Sequence, residues 1–182
     1  MPGNESLTDL LMVETSRRNT DLIADLVYQK PELFDELMKI YLRHEEPISR
    51  RAVWVVDTVA EKIPYILKPY LESIIEALPI FTHDGLKRIS LRMLARSPFS
   101  QQHTGGLMNI CFDWLISPRE SVAVKVYAMD ILYRMSMEEP ELKKELADSI
   151  EWRLAEETPG FQTHGLKLLK KLNKEMNSSK IR

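Results

Sequence analysis

Cysteine is nearly missing from these 182 residues: the single thiol, Cys111, sits in the apolar run MNICFDWLI. One thiol forms no internal disulfide and supplies no metal cluster, so Cys111 reads as a small buried hydrophobe. Such usage fits a reducing compartment, and the cytoplasm is the expected location. Net charge is nearly absent as well. The 25 basic and 27 acidic residues leave −2 at pH 7, which excludes attraction of polyanions by bulk charge. No apolar stretch nears the roughly 20 residues that cross a bilayer. The start, MPGNESLTDLLMVETSRR, lacks the basic opening and long apolar centre of a secretory signal.

Catalytic and cofactor constellations are absent too. Histidines stand at 44, 83, 103 and 164, and none opens an H-E-x-x-H zinc motif; RHEEP, at 43–47, has only its first two letters. The histidine nearest Cys111 in sequence is His103, in the loop QQHTGG, which makes a poor Cys–His pair. HTGG has no phosphate-loop Lys-Ser/Thr, and no strand precedes it. The expectation is a non-enzyme with no cofactor and no metal site.

What the chain does have is punctuation. Apart from Pro2, prolines stand at 31, 47, 64, 69, 79, 98, 118, 140 and 159, each between periodic segments. Between them apolar residues fall at helical spacing, as in Leu33, Leu37, Ile40 with Phe34, Met38, Tyr41. The alternation AVWVV suggests a strand until Val56, Val59, Ala60 and Ile63 restore the helical period. The spacing predicts ten helices, over 7–17, 19–29, 31–43, 48–62, 68–79, 84–96, 104–116, 121–137, 140–156 and 161–175. Asn19-Thr20-Asp21, Thr82 to Asp84 and Thr104 are candidate caps, while Pro31, Pro69 and Pro140 suit first turns. The tail NSSKIR is expected to fray.

Short joints pair the ten helices into five antiparallel hairpins, each with a first helix A and a second helix B. Trp54 and Asp57 in one B helix correspond to Tyr127 and Asp130 in another, 73 positions on. That is two units of 36 to 37. Gly85 in HDGLK and Gly165 in THGLK stand 80 apart, near the starts of two further B helices. Such drift is ordinary in degenerate helical repeats, whose hairpins bury a second face only by stacking.

EEPISRRAVWVVDTVAEKIP and SPRESVAVKVYAMDILYRMS share a proline-marked turn, a basic residue early in helix B, small and aliphatic positions, then Asp. On these stretches the chain resembles the HEAT/armadillo-like helical repeat superfamily over roughly 31–175. Aligning Arg51 with Lys125 instead breaks the Asp register. The resemblance implies an all-α, right-handed α-α superhelix. It would be one domain over 1–182, with capping helices at 1–30, repeat pairs at 31–175 and a tail at 176–182. It also implies that B helices line the concave side.

At 100° per residue, helix 48–62 buries Ala52, Val55, Val56, Val59 and Ile63, and turns Arg50, Trp54, Asp57, Thr58 and Glu61 outward. Helix 84–96 buries Leu86, Ile89, Met93 and Leu94 opposite a row of Arg88, Arg92 and Arg96. Helix 161–175 buries Leu166, Leu168, Leu169 and Leu172 and shows Lys167, Lys170, Lys171 and Lys174. Helix 121–137 is apolar nearly all round; its least apolar strip is Tyr127, Asp130 and Arg134.

Charge divides between the two helix classes. B-like segments 48–63, 84–97, 119–137 and 161–182 carry +1, +3, +1 and +5; A-like segments 31–46, 68–81, 100–116 and 138–157 carry −3, −1, −1 and −5. The first expectation is therefore a non-catalytic scaffold for protein–protein interaction, with a basic, aromatic-containing concave groove that binds an acidic peptide or protein surface. Arg50, Trp54, Asp57, Arg88, Arg92, Tyr127, Arg134, Lys167 and Lys171 are its candidate binding residues. The alternative is nucleic-acid binding. The chain has a distant likeness to the HEAT-like DNA alkylation-repair glycosylases, which also set aromatic and Asp side chains on a basic concave face, as Trp54 and Asp57 loosely echo. The Arg88, Arg92 and Arg96 row has a plainer reading as well, as partners for acids of a neighbouring repeat. The apolar first helix, with Leu7, Leu10, Leu11 and Val13, allows homodimerisation.

Overall fold

The computed structural model describes residues 6–98 and 104–179. Among the described residues there are ten α-helices and no strand: α1 (Leu7–Val13), α2 (Arg17–Gln29), α3 (Leu33–Leu42), α4 (Ile48–Lys62), α5 (Leu71–Ala77), α6 (Asp84–Arg96), α7 (Thr104–Ile116), α8 (Val122–Glu138), α9 (Leu142–Leu154) and α10 (Pro159–Ser179). Every helix expected from the periodicity is present. His103 and Lys180–Arg182 lie outside the described residues, as does the Thr104 side chain proposed as a cap.

The helix ends differ where local hydrogen bonding overrides periodicity. The first helix stops at Val13 because Glu14 is extended; Ser16, not the Asn19–Asp21 cluster, caps α2 by accepting from the Asn19 N–H at 3.0 Å. Asn19 instead donates from Nδ2 to the carbonyls of Leu10 and Glu14, at 3.0 and 3.2 Å, and so fixes the joint between the two helices. The segment expected as one helix over 68–79 is broken into 3-10 turns at Pro64–Tyr70 and Leu78–Ile80 flanking α5. Pro69 lies inside the first of these and Pro79 inside the second, each removing a donor from the helical ladder. Helix α10 begins two residues earlier than expected, with Pro159 in its first turn, and continues to Ser179 through the start of the tail expected to fray.

The helices fall into two compact units, Met1–Pro98 and Phe99–Arg182. In the first, α4 packs on α3, on α2 and on α6, while α3 also touches α1 and α5. In the second, α7 packs on α8 and α9, and α10 packs on α9 and α8. Each unit thus places first helices beside first helices and second beside second, the alternation of an α solenoid. The core of the first unit centres on Leu37, Tyr41, Ala52, Val56, Ile74 and Ile89, all fully or almost fully buried. The Tyr41 hydroxyl hydrogen-bonds Ser90, whose own hydroxyl donates to the Leu86 carbonyl; burial pushes the phenol well above its usual value. In the second unit Leu107, Cys111, Ala128, Leu132, Ile150 and Phe161 fill the equivalent space. The Cys111 thiol is fully buried, and desolvation raises its pKa far above the ordinary value.

Ile63, the C-cap of α4, is half-buried rather than buried, and burial departs from the expected faces at three further residues. Asp57 and Thr58 are buried rather than outward, and Leu166 is 57% exposed rather than buried. The Thr58 hydroxyl returns to the Trp54 carbonyl at 2.9 Å, and its own carbonyl accepts from the Tyr28 hydroxyl at 3.1 Å. Leu166 is displaced because Gly165 is the residue that faces α9. A Cβ at Gly165 would stand 2.9 Å from Ile150 Cγ2, closer than carbon atoms pack. The two GLK stretches are therefore not equivalent: Gly85 is the second residue of α6, whereas Gly165 is the seventh of α10.

Candidate functional site

Asp57 on α4 is the centre of the polar arrangement in the first unit. It accepts from Arg92 on one oxygen and Arg96 on the other, both on α6. The carboxylate is 5% exposed, while the two arginine side chains are 26% and 41% exposed. Arg96 also lies 3.9 Å from Glu61, a turn further along α4. At the other end of the helix pair, Arg50 reaches His83 Nε2 at 3.0 Å and Glu46 at 3.4 Å. His83 is the N-cap of α6, its Nδ1 accepting from the Gly85 N–H at 2.9 Å. The repeated aromatic-x-x-Asp pattern thus joins consecutive B helices. Two of the three arginines of the α6 row are engaged with α4 acids.

Trp54 stands beside this tie, half-buried, with Arg88 and Arg92 over its ring at 5.5 and 5.7 Å. Arg88 forms no ion pair among the described residues, and the Trp54 indole N–H donates to none of them. Arg88 and Trp54 are consequently the members of the expected set on α4 and α6 whose binding capacity is least spent inside the fold.

The second unit repeats the tie in weaker form. Asp130 on α8 accepts from His164 Nε2 on α10 at 2.9 Å, with side chains 41% and 31% exposed. Lys125 is buried, and it pairs with Glu157 below α9, which Arg153 also holds at 2.6 Å. Burial raises the Glu157 pKa, but hydrogen bonds and charge from Lys125 and Arg153 outweigh it and hold the carboxyl below its ordinary value. Glu175 accepts from the Tyr133 hydroxyl at 2.6 Å and pairs with Lys143 at 2.9 Å. Of the expected binding residues here, Tyr127 and Arg134 are half-buried on α8, and burial lowers the Arg134 pKa. Lys167 and Lys171 are exposed on α10, the Lys171 ammonium lying 4.2 Å from the Tyr133 ring centre. Of the expected set, Trp54, Asp57, Arg88 and Arg92 meet across α4 and α6, Arg50 contacts His83 and Glu46 instead, and Tyr127 and Arg134 lie on α8 while Lys167 and Lys171 lie on α10, a helix packed on α8.

Two exposed aromatics, Tyr65 and Trp152, were not singled out by sequence. Trp152 on α9 is 66% exposed, with Arg153 at 5.5 Å from its ring. Asp148 and Glu145, one and two turns before it on α9, are charged, and this polar setting was the available signal. Among the described residues no group of three metal-ligating side chains occurs, and no helix is long and apolar enough to cross a membrane.

The helical alternation within each unit and the B-to-B ties agree with comparison to known families: the HEAT repeat domain matches residues 7–172. The chain belongs to the HEAT repeat family. HEAT repeats generally mediate contacts between proteins, and the family is typically a non-enzymatic scaffold. No curated protein and no solved structure matches this HEAT repeat chain.

Proposed function

We propose that this HEAT repeat protein is a non-catalytic scaffold, and that the α4–α6 face of its first unit binds an acidic peptide or protein surface. The observation that carries the reading is the Trp54–Arg88 pair: a half-buried ring with an N–H that donates to none of the described residues, under a guanidinium that has no counterion among them. Trp and Arg are the residue types that dominate binding energy at interfaces, and a guanidinium grips carboxylates in forked geometry. The lysine row of α10 extends the same preference for anions in the second unit. A cytoplasmic setting suits the reduced, buried Cys111.

The nucleic-acid reading loses its carboxylate. Asp57 is buried and held by two arginines, so the aromatic-and-Asp echo has no acid available to a base or backbone. Capture of cytosolic proteins on immobilised wild type and on Arg88→Glu tests the proposal. Acidic partners held by wild type and lost from the variant are expected; an identical set on both would remove this face from the function. Arg88 is the position to change, because reversing Arg92 would also break its pairing with Asp57.

A further inference from the structure

A cavity of about 260 Å3 opens beside Trp54, lined by α1, the α1–α2 joint, α2 and α4. Its floor is apolar: Leu11, Ile23 and Val55 are buried there, and Trp54 forms a wall. Thr15 and Thr20 stand at the rim. The volume is below the range of roughly 300–1,000 Å3 typical of sites for drug-sized ligands, and it suits a single large side chain. The rim is preformed, because the Asn19 amide holds the joint by two carbonyls and Ser16 caps α2. Rigid walls lower the ordering entropy that a ligand has to overcome.

Charged groups of both signs line this opening. Arg51 in the wall donates from Nη1 to the Leu11 carbonyl at 3.0 Å, while its Nε is buried without a partner. Arg17 is paired with Asp21, and Glu14 at the rim accepts from the Ser16 hydroxyl. Arg88 approaches the ring of Trp54, a residue that also lines the cavity. One aromatic side chain thus serves both an apolar socket and an uncompensated guanidinium.

We infer that the cavity is a socket for one aliphatic or aromatic side chain of a linear peptide, and that acidic residues a few positions away in the same peptide meet Arg88. The inference rests on the acidic-partner reading above and names the form that the partner takes: an apolar anchor followed or preceded by Asp or Glu. A purely acidic tract would meet Arg88 and leave the socket unfilled. A purely apolar segment would fill the socket and gain nothing from Arg88.

Random-sequence peptides displayed on phage and selected on the full chain supply the test. The enriched peptides are then titrated against wild type, Arg88→Glu, Thr20→Phe and Thr15→Trp, the last two placing a ring across the mouth from independent positions. Helical circular dichroism confirms that each variant is folded, and Thr15, exposed in the joint, tolerates the change if Thr20 does not. The expected consensus is one large apolar residue with an acid within about three positions. Affinity should fall at least tenfold in either rim variant and in Arg88→Glu. Acidic peptides that lose affinity only in Arg88→Glu overturn the socket and leave the basic face standing. Apolar peptides without acids, weakened by the rim variants and untouched by Arg88→Glu, overturn the acidic-partner reading and this inference with it. Absence of any enriched peptide overturns both.

Discussion

Asp57 and Asp130 occupy matching places in sequence, yet their surroundings give them different weights. Asp57 is almost fully buried between two guanidiniums, whereas Asp130 and His164 remain substantially exposed. Hydrogen bonds to charged groups contribute about 1.5–3 kcal/mol when buried, but exposed ion pairs contribute about 0–1 kcal/mol. Asp57→Ala should therefore lower stability by about 2 kcal/mol and Asp130→Ala by about 0.5 kcal/mol, read as urea midpoints at constant slope. Equal effects would mean that the Asp57 tie is no more than a surface pair. The recurrence of the motif was legible in sequence; its partners were not, because helical period orders residues around one axis and carries no information about the neighbouring helix. Glu157 brings pH into the same logic. Its folded pKa is depressed, so its contribution is complete above the unfolded carboxyl value of about 4.3 and disappears as pH falls through the lower folded value. Glu157→Gln leaves Lys125 buried without a counterion and should reduce stability at pH 7 by about 3 kcal/mol. The gap between variant and wild type should narrow steadily below pH 4.3, and a gap independent of pH would contradict the assignment.

At the scale of the helix, glycines separate packing from propensity. Gly165 lies where α10 meets α9, and an added methyl would collide with Ile150. Gly106, in the first turn of α7, has nothing within 4 Å of the same added atom. Alanine gains up to about 1 kcal/mol over glycine in a helix interior, while overpacking a core costs about 1–3 kcal/mol. Gly106→Ala should raise the melting temperature slightly, and Gly165→Ala should lower stability by about 1 kcal/mol net; calorimetry distinguishes the two signs. The same contrast explains which features of the elements could be read in advance. All ten helices followed from spacing and prolines. The one-residue rotation that exposes Leu166 did not, because a glycine at a helix–helix contact looks in sequence like any weak helix former. The α1–α2 joint was hidden for a related reason: Ser16 is a cap only because Glu14 is extended, a backbone choice without hydrophobic signal.

Across the whole chain, opposite charge on A-like and B-like segments is compensated more locally than segment totals suggest. Arg92 and Arg96 answer Asp57 and Glu61, Arg50 answers Glu46, and Lys125 and Arg153 share Glu157. Exposed cations without an ion pair among the described residues stand at Arg18, Lys30, Lys39, Arg43, Lys62 and Lys68 in the first unit and at Arg119, Lys167, Lys170, Lys171 and Lys174 in the second; the densest run is the lysine row of α10, where Lys171 faces the Tyr133 ring. That row bounds what a polyanion can gain on α10. Each neutralised phosphate on duplex DNA contributes about −0.9 to the slope of log K against log salt. Four lysines on one helix, acting alone, set a slope no steeper than about −3.6, and binding through that row at 50 mM salt should fall by roughly two orders of magnitude at 200 mM. The same titration with an acidic peptide captured through Arg88 should be far shallower, since the Trp54 ring and a forked hydrogen bond persist when charge is screened. A DNA slope near −8 or steeper would require contacts from cations well beyond the α10 row, and would transfer the assignment from protein partners to nucleic acid.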